Sequence, residues 1–262
     1  MVKSYQYLEL DWVSNKIAVL TLNDPKTLNA LSIDMALEVT EAVNHVMKSN
    51  PRCVVLTGKG RFFCSGQNLK MNPDQMRVMK DVRAVLDQYY HPMLKALKSI
   101  SCPLVTALNG PVVGFGVGMA LLGDMIVVSD STYLMLPFSN IALVPDGGAT
   151  YLLSRLLGPH KALSLFFLCE RMSANELMQQ GIAYKVYSDA DLLSHALDLA
   201  TRLASGPRQA YRLGKQLIWD ALDQDYHHQL LQEQQAQNLA SHEKDFILGI
   251  KAFLSKSSPK FE

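Results

Sequence analysis

The stretch Leu104-Val105-Thr106-Ala107-Leu108-Asn109-Gly110-Pro111-Val112-Val113-Gly114-Phe115-Gly116 decides the predicted fold, and an earlier segment has the same order of elements. Its first five residues form an apolar, strand-forming run, a glycine-containing loop follows, and a short apolar helix is predicted up to Leu122. The earlier segment places a buried-type strand at residues 53–57 before Gly58-Lys59-Gly60 and Arg61-Phe62-Phe63-Cys64-Ser65-Gly66. Strands that lead through glycine loops into helices are typical of an α/β sheet.

The patterns on either side of these segments extend the same architecture. Residues 7–12 and 17–22 predict a hairpin, residues 125–129 and 133–136 predict strands, and a short strand is predicted near residues 183–187. Helices are predicted after Ser32, over residues 76–99 with an interruption near His91-Pro92, and from Asp146-Gly147-Gly148 to residue 157. The Ser32 helix has an apolar stripe of Met35, Val39, Val43 and Val46. We therefore predict an α/β core over residues 1–190 and an all-helical region over residues 191–262.

The bulk composition excludes several classes of protein. The formal net charge is +1, so no strong field selects nucleic acid or an anionic membrane. Four scattered cysteines indicate free thiols in a reducing compartment, and no histidine spacing is typical of a metal site. The sequence lacks an apolar signal core, a run of about 18 apolar residues and a peroxisomal C-terminal signal. These features predict a cytoplasmic protein with no metal, nucleic-acid or membrane partner.

The two glycine loops suit an oxygen atom that gains negative charge. Both follow predicted strands, at the sheet edge where ligands of α/β proteins bind. Backbone N–H groups of two such loops can donate to one oxygen, as a thioester carbonyl needs when it becomes an enolate. Alternatively, the glycines only permit tight turns and close packing. A dinucleotide-binding loop is excluded because Met119 stands where the third glycine is required.

Four segments in order resemble the crotonase, or enoyl-CoA hydratase/isomerase, superfamily. Phe63-Cys64-Ser65-Gly66-Gln67-Asn68-Leu69 resembles its first oxyanion loop, and the stretch from Asn109 to Gly123-Asp124 resembles the second loop and its helix. Residues 22–31 resemble the adenine-binding segment, and residues 249–256 resemble the last helix. The resemblance covers nearly the whole chain. It implies a crotonase-like (ββα) superhelix with a C-terminal helical trimerisation region, and an acyl-coenzyme A substrate without a prosthetic group.

The resemblance also implies roles for individual residues. The backbone N–H groups of Ser65 and Phe115 are expected to form the oxyanion hole, and Lys26 and Leu28 are expected to flank the adenine. Phe253 and Lys256 match positions that a neighbouring subunit contributes, in homotrimers or dimers of trimers. The other expected substrate-binding residues are Gln67, Asn68, Leu69, Tyr90, Gly114 and Phe138. We expect an apolar pocket lined by Phe115, Phe138, Leu143, Tyr89 and Tyr90. Alternatively, each of these side chains only packs in the hydrophobic core. Lys59 and Arg61 are candidate phosphate contacts, although exposed cations are usually only solvated.

The candidate acid or base is Asp146. Hydratases of this family use two glutamates, and the matching positions here hold Gly118 and Phe138, neither of which carries a proton. Some isomerases of the family carry their single acidic residue where this chain has Asp146. One carboxylate is enough to shift a double bond through an enolate. Alternatively, Asp146 is a plain helix N-cap. Asn68 replaces a common family aspartate, which disfavours a dienoyl isomerase.

Other functions stay open beside an enoyl-CoA isomerase. The alternatives are an atypical hydratase, a non-catalytic acyl-CoA-binding or RNA-binding homologue, and a thioester hydrolase. The near-neutral charge disfavours RNA binding, and no dedicated water-activating pair supports hydrolysis. A Cys64 or Ser65 nucleophile with His91 as its base has no support from the sequence, because nothing in it pairs these residues.

Overall fold

A six-stranded sheet forms the centre of the protein, which a computed structural model describes over residues 4–69 and 81–261. In spatial order, its strands are β1 (Leu8–Val13), β2 (Ile17–Leu22), β3 (Cys53–Gly58), β4 (Leu104–Leu108), β6 (Met125–Ser129) and β9 (Lys185–Tyr187). β1 is antiparallel to β2, and every other neighbouring pair is parallel. The predicted hairpin and α/β core are confirmed.

A second sheet of three short strands lies beside the glycine loops. It contains β5 (Val112–Val113), β7 (Tyr133–Met135) and β8 (Met172–Ser173), in the order β5-β7-β8. Cys64 of the first loop forms an isolated parallel bridge with Val112. This pairing joins the two loops, which are about fifty residues apart in sequence, at one edge of the molecule.

The helices follow the sequence pattern closely. α1 (Ile33–Lys48) begins after Ser32, whose side chain accepts a hydrogen bond from the Met35 N–H, and its predicted apolar stripe is buried. Of the long helix predicted over residues 76–99, the first five residues lie outside the described residues. The others are α2 (Val82–Val85), a π-helical turn (Leu86–Tyr90), α3 (His91–Lys98), α4 (Phe115–Ala120), α5 (Ala149–Leu168), α6 (Ala174–Gln179), α7 (Leu192–Ala204), α8 (Arg208–Asp220), α9 (Tyr226–Ser241) and α10 (Lys244–Leu254).

Two predictions concern where helices begin and end. The first glycine loop was expected to lead into a helix; residues 59–69 contain none, residues 70–80 lie outside the described residues, and the next described helix begins at Val82. The helix predicted from Asp146-Gly147-Gly148 to residue 157 is confirmed, because the helical segment that begins at Ala149 ends where Gly158 has non-helical backbone angles (φ 76°, ψ 161°), and a second segment follows across this kink at Gly158-Pro159. Proline lacks the N–H and fixes its own φ angle, which explains the kink.

The central sheet is buried on both faces, because alternate side chains along each strand point to opposite sides. One face, which includes Leu20 and Leu56, packs with α1 and the helices around the glycine loops. The other face, which includes Val19 and Val55, packs against Leu192, Ala196, Ala200 and Ala204 of α7. Helix α7 therefore belongs to the core. The predicted boundary between residues 190 and 191 does not separate two packing units.

The later C-terminal helices leave large apolar side chains in solvent. Ile218, Tyr226, Phe253 and Leu254 are between 73% and 82% exposed. Such a surface suits the predicted assembly with further copies of the chain, which stays a prediction. Within the described residues, no helix is both long enough and apolar enough to cross a bilayer.

Candidate active site

Two asparagine side chains fix the segment that leads into the first glycine loop. Asn29 is fully buried, and its Nδ2 donates to the Phe62 carbonyl at 2.7 Å. Asn109 accepts from the Gly58 N–H at 3.0 Å through Oδ1 and donates to the Gly60 carbonyl at 2.8 Å through Nδ2. Short amide side chains often satisfy backbone groups of loops in this way. The sequence alone does not reveal these roles, although both asparagines stand within segments that resemble family motifs.

The Ser65 N–H is engaged within the protein. It donates to the Leu28 carbonyl at 3.1 Å, and the Ser65 hydroxyl donates to the Thr27 carbonyl at 3.1 Å. This corrects the prediction that Ser65 supplies the first oxyanion donor, because its amide already has a partner in the adenine-binding segment. The same bonds bring Thr27 and Leu28 next to the first loop, and the expected role of Lys26 and Leu28 beside the adenine stays a prediction.

The backbone of Gln67 faces the other way. The Leu31 N–H donates to the Gly66 carbonyl at 2.7 Å, and the Asn68 N–H donates to the Leu31 carbonyl at 2.9 Å. These bonds make a parallel bridge between Leu31 and Gln67. In a parallel bridge, the residue opposite the bonding one turns its own N–H and C=O away from that neighbour. The Gln67 N–H is therefore directed away from Leu31.

The second loop also packs against this segment. The Cys64 carbonyl accepts from the Val113 N–H at 2.9 Å. Gly66 has a φ of +95°, and a Cβ atom there would lie 3.0 Å from the Val113 carbonyl oxygen and 3.7 Å from Gly114 Cα. Only glycine combines this φ with so close an approach. The two loops thus meet at Gly66 and Gly114.

The Phe115 N–H is not used for hydrogen bonding within the described residues. Phe115 is the first residue of α4, and the amide of a first helical residue has no acceptor within its own helix. Its neighbours are engaged: the Gly114 N–H donates to the Met135 carbonyl at 3.0 Å, and the Val117 N–H to the Gly114 carbonyl at 3.0 Å. Among the described residues the Phe115 N–H has no hydrogen-bond acceptor. It stays the predicted second donor.

Asp146 is not the helix cap that its local sequence suggests. The cap of α5 is Gly148, with a φ of 81°, and no side chain caps this helix. Asp146 contributes only its main-chain carbonyl, which accepts from the Ala149 N–H at 3.0 Å. Its side-chain Oδ1 is buried and has no hydrogen-bond partner among the described residues. The carboxyl group is therefore not committed to supporting the helix.

The surroundings of Asp146 make it a stronger base than an ordinary aspartate. Burial raises the pKa of Asp146 to about 6, and a hydrogen bond with its own backbone opposes the rise only in part. No charged side chain within residues 4–69 and 81–261 contributes to this shift. A partly buried carboxylate with a pKa near neutrality can take up and return a proton at physiological pH.

Neither of the two positions of the hydratase glutamates provides a carboxylate. Gly118 lies inside α4, and a Cβ atom added to it would lie 1.8 Å from the Gly147 carbonyl oxygen. Phe138 is buried, and its Cζ atom lies 3.9 Å from the place of a Cβ atom on Gly114. The first position therefore has no room for a side chain, and the second holds an aromatic ring beside the second loop.

Three of the five predicted pocket residues form a buried aromatic wall. Tyr90 and Phe115 have ring centroids 5.1 Å apart, and Phe138 lies next to Gly114. Burial raises the pKa of Tyr90 to about 12, and the Asp146 charge adds to the rise. Leu143 is 49% exposed and does not form part of this wall. Tyr89 is half-buried against the core.

The remaining predicted binding residues lie in different places. Lys26 and Leu69 are exposed near the first loop. Lys59 forms an ion pair with Glu9, which competes with a role in phosphate binding. Arg61 lies 5.9 Å from the Phe62 ring centroid.

The chain does not bring its own last helix to the two loops. Phe253 of α10 is 82% exposed and lines a groove with residues of α8 and α9, which contains none of the loop residues. Lys256 follows the end of the same helix. A contribution of Phe253 and Lys256 from a neighbouring copy therefore stays a prediction.

A cysteine or serine nucleophile is not supported by the structure. Cys64 is fully buried, burial raises the pKa of its thiol to about 12, and its Sγ would lie 2.9 Å from a Cβ atom on Gly116. A buried thiol of raised pKa is a poor nucleophile. The Ser65 hydroxyl donates to the Thr27 carbonyl, and His91 is exposed to solvent.

Two glycine loops that meet close to a partly buried carboxylate agree with the class of protein that the sequence resembles. The sequence model of the family described as "Enoyl-CoA hydratase/isomerase" matches residues 13–262, and the chain belongs to this family of crotonase-type enzymes. It is 34% identical to 1,2-epoxyphenylacetyl-CoA isomerase of Escherichia coli over 96% of this chain and 97% of that protein. It is also 34% identical to a probable enoyl-CoA hydratase of Rhodobacter capsulatus, over 95% of each chain. The crystal structure of an enoyl-CoA hydratase from a Polaromonas species superposes with a TM-score of 0.89 at 30% identity, covering 97% of this chain and 99% of that one.

Proposed function

We propose that this enzyme is an acyl-CoA isomerase that moves a proton, and with it a double bond, in an enoyl-CoA thioester. The observation that carries the proposal is the buried, unpartnered Oδ1 of Asp146. Its raised pKa of about 6 suits a group that both accepts and returns a proton. Gly118 and Phe138 supply no second carboxylate to activate water.

In the proposed reaction, Asp146 removes the proton from the carbon next to the thioester carbonyl. The electron pair of the broken C–H bond moves into the conjugated system, and the carbonyl oxygen gains negative charge. Asp146 then returns the proton two carbons further along the chain, so the double bond shifts and no atom is gained or lost. The carboxylate ends in its starting state, which is why one acidic residue is sufficient.

The negative oxygen of the enolate requires two donors. The Phe115 N–H, at the start of α4, supplies one. The Gln67 N–H points away from Leu31, and the neighbouring Gly66 lies against the second loop; both observations support Gln67 as the other donor in place of Ser65. Two fixed N–H dipoles in a site with buried aromatic walls stabilise the enolate more than water does.

The relatives support an acyl-CoA substrate but divide between two activities. One is named an epoxyphenylacetyl-CoA isomerase and another a probable enoyl-CoA hydratase, at the same identity. The residues of this chain favour the isomerase. We further propose that Lys26 and Leu28 hold the coenzyme A portion beside the first loop, and that neighbouring copies in a trimer contribute Phe253 and Lys256.

One experiment in deuterated water tests the proposal. Purified enzyme is incubated with 3-enoyl-CoA, 2-enoyl-CoA and a ring-epoxide thioester, and products are followed by mass spectrometry. Deuterium incorporation and double-bond migration without 3-hydroxyacyl-CoA are the expected results. The ring-epoxide substrate separates an aromatic from an aliphatic preference.

Two outcomes would contradict the proposal. Rapid formation of 3-hydroxyacyl-CoA from 2-enoyl-CoA would mean that another residue activates water and that the enzyme is a hydratase. Tight acyl-CoA binding with neither exchange nor hydration would identify a non-catalytic homologue.

A further inference from the structure

The hydroxyl group of Tyr90 links the first glycine loop, at Gln67, to the segment that pairs with it, at Leu31. Tyr90 is 1% exposed, and its hydroxyl donates to the Leu31 carbonyl at 3.1 Å. The Gln67 side chain also hydrogen-bonds the phenol; because the phenol donates its one proton to the Leu31 carbonyl, the Gln67 NH₂ group is the donor. Leu31 is itself the bridge partner of Gln67. One hydroxyl therefore contacts both sides of this bridge.

The Tyr90 ring also contacts the second loop. Its centroid lies 5.1 Å from that of Phe115, with the rings tilted by 47°. Tyr90 is the last residue of the π-helical turn Leu86–Tyr90, a wide helical turn that occurs frequently at functional sites. A single side chain thus packs against the residue of one proposed donor and hydrogen-bonds the residue of the other.

Direct contact between the Tyr90 hydroxyl and the substrate is disfavoured. Both of its hydrogen bonds are to the protein, and the side chain is buried. With a pKa raised to about 12, mainly by burial, the phenol stays protonated near neutrality and does not compete with Asp146 as a base. This corrects the expectation that Tyr90 is simply a substrate-binding residue.

We propose that Tyr90 is a positioning residue, whose hydroxyl holds Gln67 so that its backbone N–H points at the substrate carbonyl next to the Phe115 N–H. The inference rests on the proposed function of these two amides. An oxyanion donor acts only if its direction is fixed before the charge develops. Loss of the hydroxyl should release the Gln67 side chain and weaken polarisation of the thioester carbonyl.

The test is Tyr90→Phe, which keeps the ring and removes the hydroxyl. We expect kcat for double-bond migration to fall about tenfold, less than the roughly 10²-fold or greater loss that follows removal of a whole donor. KM should change little. The infrared band of the bound thioester carbonyl, which shifts to lower frequency when the oxygen accepts hydrogen bonds, should move back toward its frequency in water.

A double-mutant cycle identifies the route of the effect. Gln67→Met keeps the backbone amide and the side-chain length but removes the NH₂ group that bonds Tyr90. It should reproduce both the loss of kcat and the carbonyl shift, and the double variant should be no worse than either single variant. Tyr7→Phe is the control, since it removes a tyrosine hydroxyl away from the loops; Tyr7 is half-buried, and its hydroxyl accepts a hydrogen bond from the Gln6 side chain.

The outcomes separate this inference from the proposed function. A folded Tyr90→Phe protein with a wild-type carbonyl band would overturn the positioning role, and so would fully additive losses in the cycle. If the wild-type protein shifts the carbonyl band but exchanges no substrate proton, the proposed isomerase activity is overturned. In that case, loss of the band shift in Tyr90→Phe would still support the positioning role of Tyr90.

Discussion

Gly118 and Gly147 approach each other so closely that a Cβ atom on Gly118 would lie 1.8 Å from the Gly147 carbonyl oxygen. Gly147 directly follows Asp146, and its own φ of +62° favours glycine. The backbone that carries the candidate base therefore occupies the space beside Gly118, where a hydratase glutamate would stand. The absence of that glutamate and the position of Asp146 are two aspects of one packing arrangement.

Replacement of Gly118 should disturb both stability and catalysis. Gly118→Ala places a methyl group against the Gly147 carbonyl, and we expect a loss of about 1–3 kcal/mol in the free energy of unfolding, as for overpacked cores. Displacement of Asp146 should lower turnover as well. Gly214→Ala is the matched control, because Gly214 lies in α8 with nothing within 4 Å of an added Cβ atom. It should stabilise the protein by roughly 0.5–1 kcal/mol. Equal effects of the two changes in chemical denaturation would contradict the packing argument.

Neutralisation of Asp146 should abolish turnover while coenzyme A still binds. Asp146→Asn retains the shape of the side chain but cannot take up a proton. We expect kcat to fall by about 10² to 10⁴-fold, the usual contribution of a general base. Asp225→Asn is the control, because Asp225 caps α9 at the surface and asparagine also serves as a cap. Near-normal turnover of Asp146→Asn in the isomerisation assay would show that Asp146 is not the base.

The activity should depend on pH through the same carboxyl group. Only the ionised form of Asp146 can accept the substrate proton, and burial raises its pKa to about 6. As pH rises through this value, kcat/KM should increase and then level off. A rising limb centred near the ordinary aspartate value of about 4 would mean that the group is better solvated than its burial implies.

The free energy of unfolding should change with pH in the opposite sense. The folded-state pKa of Asp146 lies above its unfolded value, so the group stabilises the fold at low pH and loses that contribution as pH rises from about 4 through 6. Asp146→Asn should therefore be more stable than wild type at pH 7, by about 1–2 kcal/mol after allowance for partial exposure. The difference should vanish below about pH 4. A destabilised Asp146→Asn protein at pH 7 would indicate a structural hydrogen bond for this carboxylate.

The Ser65 hydroxyl should be dispensable for catalysis. Ser65→Ala removes a bond to the Thr27 carbonyl and leaves the backbone bond to Leu28 in place. We expect turnover within about tenfold of wild type, and a loss of roughly 0.5–1.5 kcal/mol in stability. Ser205→Ala, which removes a similar bond to the Arg202 carbonyl, is the control. A 10²-fold fall in turnover by folded Ser65→Ala would point to a working hydroxyl.

Local patterns were enough to locate most of the regular structure. The strand at Leu104–Leu108 and the helix capped by Ser32 both lie where the sequence predicted them, because alternation, apolar stripes and capping residues act over short distances. The chemistry of a side chain also follows from the sequence alone. Gly118 and Phe138, for example, have no side-chain group that exchanges a proton in any fold. The ordered set of motifs predicted the family, which the comparisons confirm.

The tertiary structure decided what each group near the site is available to do. The local sequence predicts Asp146 as a helix cap. In the fold, Gly148 is the cap, and the buried Oδ1 of Asp146 bonds no helix N–H. The sequence predicts the Ser65 N–H as an oxyanion donor, but in the fold this N–H donates to the Leu28 carbonyl. The direction of the Gln67 N–H depends on the pairing of Gln67 with Leu31. Pairing between segments some 35 residues apart, and the burial that follows from packing, are long-range properties. The sequence determined which chemical groups exist, whereas the fold determined which of them remain uncommitted.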